Sequence, residues 1–139
     1  MVPKKPFFTI AFIVWLVFVT YSSLSSFSGV DTSSFSINIP NLDKIVHFVF
    51  YFNVSVLGVL FIWEHQHWRI SLQKAILLMF CFAVIYGIII EVLQYSFTTD
   101  REGDILDAIA NSFGGVIGVL TCRYMFSKKG FLHWGDKQI

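Results

Sequence analysis

The sequence predicts an all-α protein, a four-helix transmembrane bundle with both termini cytoplasmic, and three observations carry that prediction. Hydrophobic residues make up 55% of the 139 residues, 16 of them Phe, while charged residues are held to 14%, a balance beyond that of ordinary soluble domains. Apart from Asp107, no Asp, Glu, Lys or Arg falls in the windows 7–21, 45–63, 75–90 and 105–119, each extensible toward the roughly 20 residues that cross a bilayer. The runs are apolar on all sides and do not alternate, which argues against a transmembrane barrel. One domain over residues 1–139 is expected, with helices at about 7–24, 42–63, 75–97 and 104–126 and no internal repeat.

Orientation follows from the placement of the ten basic residues. With the N-terminus inside, Lys4, Lys5, Arg69, Lys74, Arg123, Lys128, Lys129 and Lys137 are cytoplasmic, and only Lys44 and Arg101 lie outside. A bacterial inner (plasma) membrane protein with multiple passes is the expected setting. The net charge of +1 gives no reason to expect a nucleic-acid partner, and the partner that composition implies is the lipid bilayer. Oligomeric state is not legible.

The first span, Phe7 to Tyr21, follows a short basic lead, and Ser22-Ser23-Leu24-Ser25-Ser26 behind it could serve as a signal-peptide cleavage site. The apolar run is long for a signal peptide, and Trp15 and Tyr21 suit an anchor, so an uncleaved helix is expected. Residues 22–41 form the longest connection, read as a flexible outer connector whose alternating apolar residues would also let it rest on the membrane surface.

In the second span Asn41 is a plausible cap, and Asp43 in the first turn complements the helix dipole. Asp43, His47 and Tyr51 share one face at steps of four. Past Trp63, His65 and His67 lie in a loop without Cys or a third ligand, so a zinc site is not expected there. In the third span Gly87, Glu91 and Gln94 share a face. The cysteines, Cys81 deep in this apolar stretch and Cys122 near the cytoplasmic side, read as packing residues, with neither a disulfide nor a thiolate nucleophile supported. A short connection, 97–103, makes the third and fourth helices antiparallel neighbours. The fourth opens with Asp104, Asp107 and Asn111 on one face, which continues through Gly114 and Gly118, a spacing that lets another helix backbone approach. Trp134 in the basic tail reads as an interfacial anchor.

Glu91 is the residue that most needs a reason, since an ionisable group within a membrane helix costs about 2.5–3.5 kcal/mol at the centre on insertion scales and normally faces a partner or water. The topology supplies candidates. The second helix begins, the third ends and the fourth begins on the same outer side, and at 1.5 Å per residue His47, Glu91 and Asn111 reach depths of about 6 to 10 Å. No matching charge lies in the inner half, so a pocket open outward is expected, and not a channel.

Three blocks, Asp43-Lys44-x-x-His47-Phe48-x-x-Tyr51, Tyr86-Gly87-x-x-x-Glu91-x-x-Gln94, and Arg101 with Asp107-x-x-x-Asn111-x-x-Gly114, resemble the VanZ-like family over about residues 42–120. The resemblance implies a small four-helix membrane protein of the bacterial cell envelope, in a family named for an accessory factor in teicoplanin (antibiotic) resistance. It supplies no biochemical activity.

Three functions remain open. In the first, the pocket binds an amphiphilic envelope ligand, a lipid-linked precursor or lipoglycopeptide. Lys44 and Arg101 would then meet anionic groups, and Asp43, His47, Tyr51, Glu91, Gln94, Asp104, Asp107 and Asn111 would complete the binding surface. In the second, the chain is a membrane-embedded enzyme with His47, Glu91 or Asp107 as acid or base, or with the three gathering a metal. No tight ligand spacing or placed nucleophile specifies this, so no cofactor or metal is assigned. In the third, the polar groups are interhelical glue and Gly87, Gly114 and Gly118 serve packing.

Overall fold

The computed structural model describes residues 6–25, 41–65, 70–97, 105–127 and 129–134. Four helices account for nearly all of them: α1 (Phe7–Leu24), α2 (Leu42–Glu64), α3 (Leu72–Phe97) and α4 (Ile105–Met125). All four are long and apolar enough to cross a membrane, and no strand occurs among the described residues.

Unlike a water-soluble bundle, the molecule carries large apolar residues over its outside as well as in its core. Ile10, Ile13, Val14 and Val17 of α1, Leu77, Leu78, Ile85 and Ile88 of α3, and Ile109 and Phe113 of α4 are exposed. Ser55, His47, Gln94 and Asn111 are buried together with Gly58, Gly87, Gly114 and Gly118. Hydrocarbon solvates Ile and Leu as well as a protein interior does, so helices in a bilayer associate through small residues and internal hydrogen bonds. Such a surface would aggregate in water.

The hub is α2, which packs on all three other helices and most extensively on α4. Glycine sets that closeness. A Cβ at Gly114 would collide with the Phe48 carbonyl oxygen of α2 and lie 3.0 Å from its carbon. One turn on, a Cβ at Gly118 would lie 2.6 Å from Phe52 O and 2.8 Å from Ser55 Cβ. The expected backbone approach is therefore between α4 and α2.

Polar ties hold α1 along its length. At one end the Glu64 carboxylate accepts from the Phe8 N–H (3.1 Å), the Thr9 N–H (2.8 Å) and the Thr9 hydroxyl (2.6 Å), so a residue 55 positions away satisfies free N–H groups in the first turn of α1. In the middle, the Trp15 indole donates to Phe50 O (3.1 Å), and Tyr86 donates to Leu16 O (3.0 Å) beside Thr20 Oγ1 (2.7 Å). At the far end, Gln94 Nε2 donates to Ser23 O (2.9 Å).

Several sequence expectations are corrected. Asn41 occupies the N-cap position of α2 in a left-handed conformation (φ 59°), and its side chain makes no cap bond. The third helix begins at Leu72, three residues before the charge-free window, because Ser71 Oγ accepts from Lys74 N–H (3.4 Å) and lets Gln73 and Lys74 enter the first turn. Cys81 is exposed on the outer surface of α3, whereas Cys122 is buried. An apolar run alone does not say which side faces lipid. Trp134, expected at the membrane interface, donates its indole N–H to Ile70 O (3.0 Å) and meets the Phe126 ring edge-on at 5.0 Å. The Trp63 indole reaches His133 O (3.0 Å), so the tail closes that end of the bundle.

Candidate functional site: a polar cluster at one end of the bundle

The C-terminus of α1, the N-terminus of α2, the C-terminus of α3 and the N-terminus of α4 meet at one end. There α2 contributes His47, α3 contributes Glu91, and α4 contributes Asp107 and Asn111. His47 is 4% exposed and Asn111 2% exposed. They reach one another because Gly87 on α3 leaves room: a Cβ there would lie 3.3 Å from Asn111 Cβ and 3.2 Å from the Tyr51 ring.

The hydrogen bonds have a fixed direction. The amide of Asn111 donates from Nδ2 to Glu91 Oε1 (3.1 Å). Its Oδ1 then faces His47 Nδ1 at 3.0 Å and must accept from it. His47 is thereby protonated on Nδ1, which also lies 3.6 Å from Glu91 Oε1. Its other ring nitrogen, Nε2, faces Asp107 Oδ2 at 3.8 Å, beyond hydrogen-bond reach. The second oxygen of Asp107 lies 3.4 Å from Lys44 Nζ, and Lys44 also holds Asp43 at 3.0 Å.

The cluster thus unites His47, Glu91, Asp107 and Asn111, extended at its rim by Lys44 and the exposed Asp43. One donor atom from each of His47, Glu91 and Asp107 lies within 4.8 Å of the others, although no tight ligand spacing marks them in the sequence. Tyr51 is completely buried one turn deeper, its ring 5.8 Å from that of Tyr86 and its hydroxyl without a hydrogen-bond partner. Gln94 bonds the α1 backbone through its amide nitrogen, as described above, and so ties α1 to this end of α3. Arg101 and Asp104 lie outside the described residues, as does His67; His65 Nδ1 bonds the Phe61 carbonyl of its own helix (3.0 Å).

Beside the cluster a cavity of about 440 Å³ is lined by Ser22, Ser23, Leu42, Asp43, Val46, His47 and Phe50. Five of these residues, Ser22, Ser23, Leu42, Val46 and Phe50, were not marked by the sequence as residues of the site. Their role depends on α1 lying against α2, which is set by Trp15 and Glu64, and one-dimensional spacing does not contain that pairing.

A family model described as VanZ/LLP1 matches residues 7–127, which spans all four helices. A search of curated proteins returns no match. A search of solved structures returns none either. With four helices long and apolar enough to cross a membrane and a match over most of its length, this chain belongs to the VanZ/LLP1 family.

Proposed function

We propose that the protein is a multi-pass protein of the bacterial inner membrane that binds an amphiphilic envelope ligand, a lipid-linked precursor or lipoglycopeptide, at this polar end, which faces away from the cytoplasm. A contribution to resistance against glycopeptides such as teicoplanin is the physiological consequence of that binding. The carrying observation is the cavity of about 440 Å³ between α1 and α2, with an apolar wall of Leu42, Val46 and Phe50 and a polar wall of Asp43 and His47. Close along α1, a groove of about 550 Å³ lined by Leu16, Val17, Thr20, Tyr21, Leu24 and Ser25 offers an apolar track for an acyl chain. Apolar volume with a few convergent polar groups is the usual composition of a ligand site. Lys44, partly exposed at the rim, is placed to meet an anionic group.

Interhelical glue explains the cluster less well. Side-chain hydrogen bonds in membranes average about 0.6 kcal/mol, with a maximum near 1.7, while each buried ionisable group carries a cost of several kcal/mol. The test is binding of fluorescent teicoplanin, and separately of an undecaprenyl-linked precursor, to protein in nanodiscs. Val46→Trp, which fills the cavity, and Glu91→Gln, which removes charge but keeps the acceptor for Asn111, are expected to reduce affinity at least tenfold. Unchanged affinity for both ligands in both correctly inserted variants would remove the basis for this function.

A further inference from the structure

The geometry points to a divalent-metal site of the zinc class, held by His47 Nε2, Glu91 and Asp107, with Asn111 as the positioning residue. The proposal does not depend on the ligand reading above.

The argument starts from the direction of the hydrogen bonds. Glu91 fixes the Asn111 amide, and Asn111 fixes the Nδ1 proton of His47. With Nδ1 turned to Asn111, Nε2 is the ring nitrogen that faces an oxygen of Asp107, at 3.8 Å. A proton shared in a direct hydrogen bond would draw them to about 2.7–3.0 Å. A metal ion with ligand bonds of about 2.0–2.2 Å holds two ligands roughly 3.4–3.8 Å apart, as follows from those bond lengths at angles near tetrahedral and somewhat wider. The observed separation matches the second arrangement.

Three further features agree. The donor set combines one imidazole with two carboxylates, and one donor atom from each residue, a ring nitrogen in the case of His47, lies within 4.8 Å of the others, close enough to contract onto one ion by side-chain rotation. Imidazole with carboxylate favours zinc or a neighbouring transition ion over magnesium or calcium, which prefer all-oxygen shells. His47 is more than nine-tenths buried with Nε2 directed at Asp107, and its opposite nitrogen is held by Asn111, as the second shell of a metal-binding histidine requires. Finally, Asp107 Oδ1 pairs with Lys44 Nζ at 3.4 Å, which leaves Oδ2 as the oxygen turned to His47. Three protein ligands leave a fourth position for water or an anionic oxygen.

The test uses the full chain, purified without a polyhistidine tag, treated with chelator and titrated with ZnCl₂ alone by calorimetry. One equivalent is expected to bind with a Kd in the micromolar range or tighter. His47→Ala and Asp107→Asn are expected to abolish uptake, and Asn111→Ala to weaken it by roughly 10–100-fold, the usual effect of losing an outer-shell partner. His65→Ala, at the opposite end of α2, is expected to retain it. Helical circular dichroism accompanies each variant, and the wild type loaded with Co²⁺ supplies a readout that needs no substitution: weak d–d bands with no thiolate charge-transfer band. Absence of d–d bands in the folded wild type overturns the site. So does stoichiometric Zn²⁺ uptake that survives both His47→Ala and Asp107→Asn in folded protein, since the ion would then be held elsewhere. No arm involves an envelope ligand, so failure here and failure of ligand binding are separate results.

Discussion

Gly114→Ala tests whether the approach of α4 to α2 builds the site. The added methyl would overlap the Phe48 carbonyl oxygen and sit 3.0 Å from its carbon and 3.1 Å from its Cα. All three atoms are backbone, so no side chain can rotate away and the helices must part. Relief requires a displacement approaching 1 Å, and a gap of 0.5–1 Å already forfeits a quarter to a half of the dispersion well for the atoms lining it. Overpacking of this kind costs about 1–3 kcal/mol. Asn111 lies one turn before Gly114, so the same displacement stretches its 3.0 Å bond to His47, adding about 0.6 kcal/mol and at most about 1.7. The expected loss is therefore about 2–4 kcal/mol. The adjacent glycine provides the comparison: a Cβ at Gly115 would meet Ala83 Cβ at 3.4 Å and Ser55 Oγ at 3.5 Å, ordinary contacts, and Gly115→Ala is expected to change stability by less than about 1 kcal/mol. Unfolding in mixed micelles with increasing dodecyl sulfate, followed by tryptophan fluorescence, measures both. Equal stability of the two variants would refute the reasoning, since only geometry separates these neighbours.

Glu64→Ala removes three accepted bonds from the first turn of α1 and is expected to destabilise the protein by about 1–3 kcal/mol in the same titration, with faster proteolysis near residue 7. Tyr51→Phe deletes a buried hydroxyl that has no hydrogen-bond partner and is expected to be neutral or slightly stabilising; a loss above about 1 kcal/mol would show that this hydroxyl has an unrecognised acceptor. Orientation is tested by single cysteines in a cysteine-free background, with Ser33 and Thr99 variants labelling with an impermeant thiol reagent in intact cells and a Gln66 variant labelling only after permeabilisation. The reverse pattern would place the polar cluster on the cytoplasmic side.

The sequence by itself determined the class, the number of spans and their limits to within a few residues, because transfer into hydrocarbon is a property summed along the chain. It also marked His47, Glu91, Asp107 and Asn111, since polar groups are costly in such stretches, and the Gly114–Gly118 spacing as a packing strip. What it left open is which groups pair. Gln94 shares a helical face with Glu91, yet its amide nitrogen ties α1, while Asn111 takes the bridging place between Glu91 and His47. Glu64, at the end of its helix, caps a turn that begins more than fifty residues earlier. Cys81 and Cys122 both lie within apolar helices, and only the packing decides that one faces outward and the other inward. The reason is the solvent. Lipid does not distinguish one apolar helix face from another, so the periodicity that reveals a buried face in water is weak here, and the register of each helix is fixed by close glycine contacts and a few hydrogen bonds that exist only once the helices have met.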